Sequence, residues 1–169
     1  MKAAVSVSLL AGALFVSAVA CSSGQADPPA SKDSACASGQ LTVTASTMSP
    51  GSMHRGVRLN FSLPEGNSCV LTGYPGVDSG AGGPLLHAAR TLRGYLGGLP
   101  SGADELPVVT VSPGHDAHAV VEGLATNSQG DQCPTYTDLR VTPPNTTDVA
   151  TVSATIDTCA LQVHPVSAS

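Results

Sequence analysis

The residues best placed for chemistry lie in "GHDAH", where His115 and His118 bracket Asp116 just past a Pro113-Gly114 turn. Two imidazoles and a carboxylate could ligate a divalent metal, or supply an acid and a base for hydrolysis. Residues three apart on an extended chain point to opposite faces, so both histidines reach one ion only if the turn bends them together. They are weak metal candidates, and exposed polar decoration is the expectation; His54, His87 and His164 are scattered along the chain. A hydroxyl nucleophile has less support. "GVDSG" around Ser79 runs G-x-x-S-G, lacks the G-x-S-x-G of a nucleophile elbow, and reads as a turn. No S-x-x-K occurs, and "SGAGGP" matches neither G-x-G-x-x-G nor a P-loop. A blue-copper site needs a late Cys-His-Met cluster, yet no Met follows Met53, and the absence of any C-x-x-C spacing argues against zinc. The expectation is therefore a protein without catalytic residues or cofactor, in which a hydrolase is the third-ranked reading.

One cysteine invites covalent chemistry of another kind. The opening "MKAAVSVSLLAGALFVSAVAC" has one Lys after the initiator and then no charge as far as Cys21, the layout of a secretory signal. The run approaches the roughly 20 apolar residues that span a bilayer. Cleavage is favoured by small Ala18 and Ala20, by the cysteine directly after them, and by a polar tether, "SSGQADPPASKDSA", without a basic stop-transfer cluster. Ala18-Val19-Ala20-Cys21 resembles a bacterial lipobox, with Ala18 where the commonest form carries Leu. That resemblance implies a diacylglycerol thioether on Cys21, palmitate-type acylation, and an anchored protein on the outer face of a bacterial plasma membrane. Two acyl chains suffice for stable anchoring. The expected organisation is a signal peptide over 1–20, a tether over 21–35, a domain over 36–166 and a tail over 167–169.

With Cys21 assigned to lipid, Cys36, Cys69, Cys133 and Cys159 form an even set in an exported chain, where disulfides persist. Sequence alone allows three pairings. Sequential pairing, Cys36–Cys69 and Cys133–Cys159, is expected because it closes two independent loops within neighbouring strands.

Composition excludes several classes. Only 11% of residues are charged, far below the usual quarter. Removing Lys2 with the leader leaves 6 basic against 12 acidic side chains, 6 − 12 = −6, which gives no basic footprint for nucleic acid. Downstream of the leader the only aromatic side chains are Phe61, Tyr74, Tyr95 and Tyr136, so stacking platforms for bases or sugar rings are hard to build.

The elements that must position these residues read as strands. "QLTVTAS" puts Leu41, Val43 and Ala45 on one face, and "GVRLNFSLP" alternates Val57, Leu59, Phe61 and Leu63 with Arg58, Asn60 and Ser62. "NSCVLTGYPGV" breaks at Gly73 and turns at Pro75-Gly76. "LPVVTVSPGHDAHAVVEGLA" gives one strand through Val109 and Val111 and a second with Ala117, Ala119 and Val121 inward. "YTDLRVTPP" and "DVATVSATIDTCALQVHPV" supply the last strands, the latter broken near Asp157. Across 84–97, Leu85, Leu92 and Leu96 fall near helical spacing, but flanking glycines favour strand and loop. Seven or eight short strands imply an all-β, immunoglobulin-like antiparallel β-sandwich.

The order "NSCVLTGYPGV", "VTVSPGHDAHAVVEG", a cysteine before "LRVTPPNTT", and "CALQVHPV" resembles a domain-of-unknown-function family of actinobacterial, mycobacterial-type secreted proteins and lipoproteins. The similarity covers about residues 36 to 166 and rests on Cys69 with Gly73-Tyr74-Pro75-Gly76, the Pro113-Gly114 turn, and the paired late cysteines. It implies an immunoglobulin-like sandwich in an envelope setting and brings no catalytic residues. Tyr74, Pro75 and Gly76 are candidates for a corner, with Tyr74 hydrogen-bonding across the fold, or for a binding surface. The functional expectation is a lipid-anchored, non-enzymatic binding or interaction module whose partner is an envelope protein or a small ligand. The alternative is a small-ligand or lipid carrier with a cavity between its sheets, motivated by the shortage of large core aromatics.

Overall fold

A computed structural model describes residues 34–169. The leader, Cys21 and all but the end of the tether lie outside the described residues. Eight strands of four or more residues carry the fold: β1 (Thr42–Thr47), β2 (His54–Ser62), β3 (Cys69–Thr72), β4 (Gly76–Ser79), β6 (Val108–Val111), β7 (Ala117–Leu124), β8 (Thr135–Thr142) and β9 (Ala150–Asp157). Three two-residue strands, β5 (Ala89–Arg90), β10 (Gln162–Val163) and β11 (Ser167–Ala168), complete the order, and no helix occurs among the described residues.

The largest sheet runs β1-β2-β7-β10-β5, with β11 also on β7; a second is β4-β8-β9 and a third is β3-β6. Every pair is antiparallel except β10 with β5, which run parallel. That pair departs from the all-antiparallel expectation. A parallel neighbour needs a long crossover, and here the chain between β5 and β10 passes through β6 to β9.

Period-two alternation explains the core. In β2, Val57, Leu59 and Phe61 are buried, as is Leu63 just past its end. In β7 the same parity holds Ala117, Ala119 and Val121. β9 lies against β1, β2 and β7, so Val152, Ala154 and Ile156 join these residues in one apolar cluster, with Leu139 and Val141 from β8. Each fully buried Val, Leu or Phe contributes about 1.5–3 kcal/mol. Cys36 bonds Cys69 and Cys133 bonds Cys159, across separations of 33 and 26 residues. By loop entropy each crosslink stabilises the fold by about 3.5 kcal/mol.

Two boundaries differ from the sequence reading. Residues 167–169 do not form a free tail: Ser167 pairs with His118 and Ala168 with Ala117. Ser-Ala-Ser carries no hydrophobic signal; backbone pairing places it, with Arg58 Nη2 donating to Ser169 Oγ at 3.4 Å. At the other end the tether already joins the fold at Ala35, which bridges Val70 in parallel, while Ser34 O accepts the Val70 N–H at 2.9 Å.

Candidate functional site

The outward parity of β7 carries His118, Val120, Glu122 and Leu124, and their partners on β2 and β10 put His54, Gly56, Arg58 and Gln162 on that same face. Such a face is ordinarily wet, yet Val120 and Glu122 are buried. The segment 91–99, "TLRGYLGGL", covers them as a strap. Its tip is a tight turn in which Gly94 N–H donates to Gly97 O at 2.8 Å, and Arg93 bridges Gly98. Glu122 anchors the tip: Oε1 accepts the Tyr95 N–H at 2.8 Å and Oε2 the Leu96 N–H at 2.6 Å. The carboxylate is only 3% exposed, and hydrogen bonds of this charge-assisted kind are what make such burial tolerable. His164, fully buried beside it, sits with Nδ1 3.1 Å from Thr91 O, while its Nε2 lies 3.5 Å from Glu122 Oε1 without a hydrogen bond.

Glycine is required at the strap because of space. A Cβ on Gly94 would fall 2.0 Å from Glu122 Oε1 and 2.4 Å from His164 Nε2, and one on Gly97 would fall 2.5 Å from Val120. The strap thus lies directly on the sheet and delivers Tyr95 to a defined place. The Tyr95 ring stacks on His54 with centroids 4.4 Å apart and planes 14° from parallel. Its hydroxyl meets Ser52 Oγ at 3.0 Å. Ser52 and Met53 form the tip of the β1–β2 hairpin, closed by a Gly51–His54 bridge, and both have positive φ, 45° and 69°. Two-residue hairpin turns with this geometry ordinarily use Asn-Gly, so a Ser-Met pair stores strain here. Tyr95 nevertheless remains 57% exposed.

Beside Tyr95 opens a cleft of about 470 Å³, lined mainly by apolar surface. Its floor is Glu122, Gly123 and Leu124; one wall is His54 with the strap tip, and the others are the turn 126–128 and the corner at Cys159, Ala160 and Gln162. These walls are fixed. Asn127 Oδ1 accepts the N–H groups of Gln129 and Asp131, both at 2.9 Å, and its Nδ2 donates to Asp131. The Cys133–Cys159 bond ties that loop to the corner. Volume, apolar lining and rigid walls match small-ligand sites, which are usually preformed and fall in the range of roughly 300–1,000 Å³.

The residues singled out from sequence lie elsewhere. His115 is exposed, with Nδ1 3.3 Å from Ser112 Oγ, whereas His118 is half-buried between β2 and β11. Burial lowers the His118 pKa, Arg58 lowers it further, and the Ala168 backbone acts in the opposite direction. Among the described residues no group of three His, Cys, Asp or Glu side chains is arranged to hold a metal ion. Ser79 is buried, donating to Pro84 O and accepting the Leu86 N–H. His87 meets Asp78 at 2.6 Å on the surface.

Gly73 to Gly76 form the corner between β3 and β4, closed by Val166 N–H to Gly73 O at 2.9 Å, with Pro75 buried and Gly76 opening β4. The buried tyrosine that hydrogen-bonds across the fold is Tyr136, whose hydroxyl donates to Pro84 O at 2.7 Å; Tyr74 is half-buried and its hydroxyl makes no hydrogen bond among the described residues. Of the cleft residues, sequence reasoning noted His54, Tyr95 and Cys159 singly and overlooked Glu122. Its signal was present: "AVVEGLA" is apolar at both parities around one acid.

No curated protein and no solved structure matches the chain. A family model described as a domain of unknown function, DUF4232, matches residues 36–167, the two disulfides and every strand of the cleft included. The chain therefore belongs to the DUF4232 family.

Proposed function

We propose that this protein is a lipid-anchored binding module of a bacterial cell envelope, held at the outer face of the plasma membrane through Cys21 and taking its ligand in the cleft beside Tyr95. The observation that carries this reading is Tyr95 itself. A chain with few aromatics holds one ring by a stack on His54, a bond to Ser52 and a buried carboxylate under its backbone, yet leaves it 57% exposed. Burying a charge and straining a turn to display an aromatic is costly, and such costs collect at functional sites. The reading is non-enzymatic: both carboxylate oxygens of Glu122 are spent on the Tyr95 and Leu96 N–H groups, and the His54 ring is stacked on Tyr95. On this reading the shared core of the β4-β8-β9 sheet and the largest sheet is an immunoglobulin-like sandwich, and the ligand site lies outside it. That location favours a surface module over a carrier with its cavity between the sheets.

Native mass spectrometry of the full chain purified from its own envelope tests the ligand half of the proposal. A mass beyond acylated Cys21 that leaves on denaturation, and is absent from Tyr95→Ala, is expected; identical spectra for both proteins would refute it. Fractionation tests the other half. Cys21→Ala moves the protein into the soluble exported fraction, whereas a variant that stayed on membranes with its leader intact would replace the lipid by a transmembrane span.

A further inference from the structure

The cleft also has a charge preference, and this inference rests on reading it as a ligand site. Its lining contains one ionisable acid, Glu122, and neither Lys nor Arg. The arginines adjoining it are occupied. Arg55 pairs with Asp157 at 3.5 Å, and Arg93 is turned away to Pro100 O, Ala103 O and Asp104, the last at 2.7 Å. Glu122 accepts the backbone N–H groups of Tyr95 and Leu96, and the imidazole 3.5 Å from its Oε1, His164, lies outside the cleft lining, so among the described residues no Lys or Arg side chain pairs with the carboxylate. Asp131, held by Asn127, adds a second negative charge behind the turn 126–128. The described residues carry 5 Arg against 10 Asp and Glu, 5 − 10 = −5, so the surrounding field has the same sign. Low-dielectric walls lined by one sign of charge concentrate the opposite ion.

The rest of the lining combines apolar and aromatic surface with the polar side chains of Thr126, Asn127, Ser128 and Gln162. Met53 and Leu124, which neighbour His54 in the hairpin turn and across the β2–β7 pair, are both exposed, and the Tyr95 ring offers the π-surface on which a cation is held. Asn127 spends both ends of its amide on its own loop, which leaves Thr126, Ser128 and Gln162 as the polar lining able to meet a ligand. We propose that the cleft takes a small organic cation, an ammonium head on an apolar body, with the head against Tyr95 above Glu122 and the body toward Leu124.

Three probes of one shape separate charge from fit: phenethylamine, 2-phenylethanol and phenylacetate, titrated into the full-length acylated chain in a neutral detergent while the Tyr95 ring is followed by NMR. Phenethylamine is expected to shift Tyr95 saturably, about tenfold more tightly than the alcohol and less so at high salt, with no shift from phenylacetate. Tyr95→Leu, compared with the parent through the methyl signals of Leu124 in the cleft floor, should weaken the amine by roughly fivefold. A Tyr95 shift from 2-phenylethanol equal to or tighter than that from the amine would overturn the charge preference and leave the cleft a ligand site. Silence at Tyr95 with all three probes would take down both inferences. Tighter binding by an N-acetylated lysine amide than by phenethylamine would assign the ammonium to a protein side chain and overturn the small-molecule assignment.

Discussion

Replacing Gly94 by Ala adds one methyl group at the point where the strap touches the sheet. Gly94 does not have positive φ, so alanine adopts its backbone without strain and only space is tested. The new Cβ would lie 2.0 Å from Glu122 Oε1 and 2.4 Å from His164 Nε2, more than 1 Å inside ordinary contact. Both neighbours are buried and packed, so the strap must lift. The N–H bonds of Tyr95 and Leu96 to the carboxylate, 2.8 and 2.6 Å long, are then broken together. Hydrogen bonds to charged groups are worth about 1.5–3 kcal/mol each, and because water partly replaces them at an opened edge the expected loss is about 3 kcal/mol. For a domain of this size that lowers Tm by about 10 °C. The assay is thermal and urea unfolding beside Gly76→Ala, whose Cβ would meet Thr142 at 3.4 Å, an ordinary contact that should cost little. A Gly94→Ala protein within about 0.5 kcal/mol of the parent would refute the anchored-strap account.

Two other outcomes follow from single contacts. Tyr136→Phe deletes the 2.7 Å bond to Pro84 O from a side chain 1% exposed, and urea unfolding should show a loss of about 1 kcal/mol with an unchanged denaturant slope. His118, whose folded-state pKa burial and Arg58 hold below the ordinary histidine value of 6.5, gives a pH signature. Above that value neither state is protonated there; as pH falls below it the unfolded chain takes up the proton first, so stability declines on acidification. Tm measured between pH 7.5 and pH 5 should fall less steeply in His118→Gln than in the parent, and parallel curves would remove His118 from the account.

The sheet interiors were legible in the sequence and the strap was not. Val57, Leu59 and Phe61 on β2, and Ala117, Ala119 and Val121 on β7, announce themselves because one face of each strand meets the core and alternation records it. The strap is fixed by backbone N–H groups on Glu122 and by the absence of side chains at Gly94 and Gly97, neither of which leaves a period. The leucines of 84–97 that mimic helical spacing serve different ends: Leu85 is exposed, while Leu96 lies over Gly56. His54 and Tyr95, 41 residues apart, meet only because the strap crosses from β5 to the far end of β2. The GYPG corner was located, but the hydroxyl bond belongs to Tyr136, since only a full fold reveals which tyrosine is enclosed.

On the proposed anchoring through Cys21, the Cys36–Cys69 bond has a mechanical consequence. The chain reaches a covalent crosslink two residues beyond Ser34, and that crosslink bypasses everything from residue 37 to residue 68. Along the covalent chain, tension applied upstream passes through the sulfurs into β3 and bypasses β1 and β2. His54 and the strained Ser52-Met53 tip lie inside the bypassed loop, so on that reading the stack beneath Tyr95 is off the covalent path between the anchor and β3.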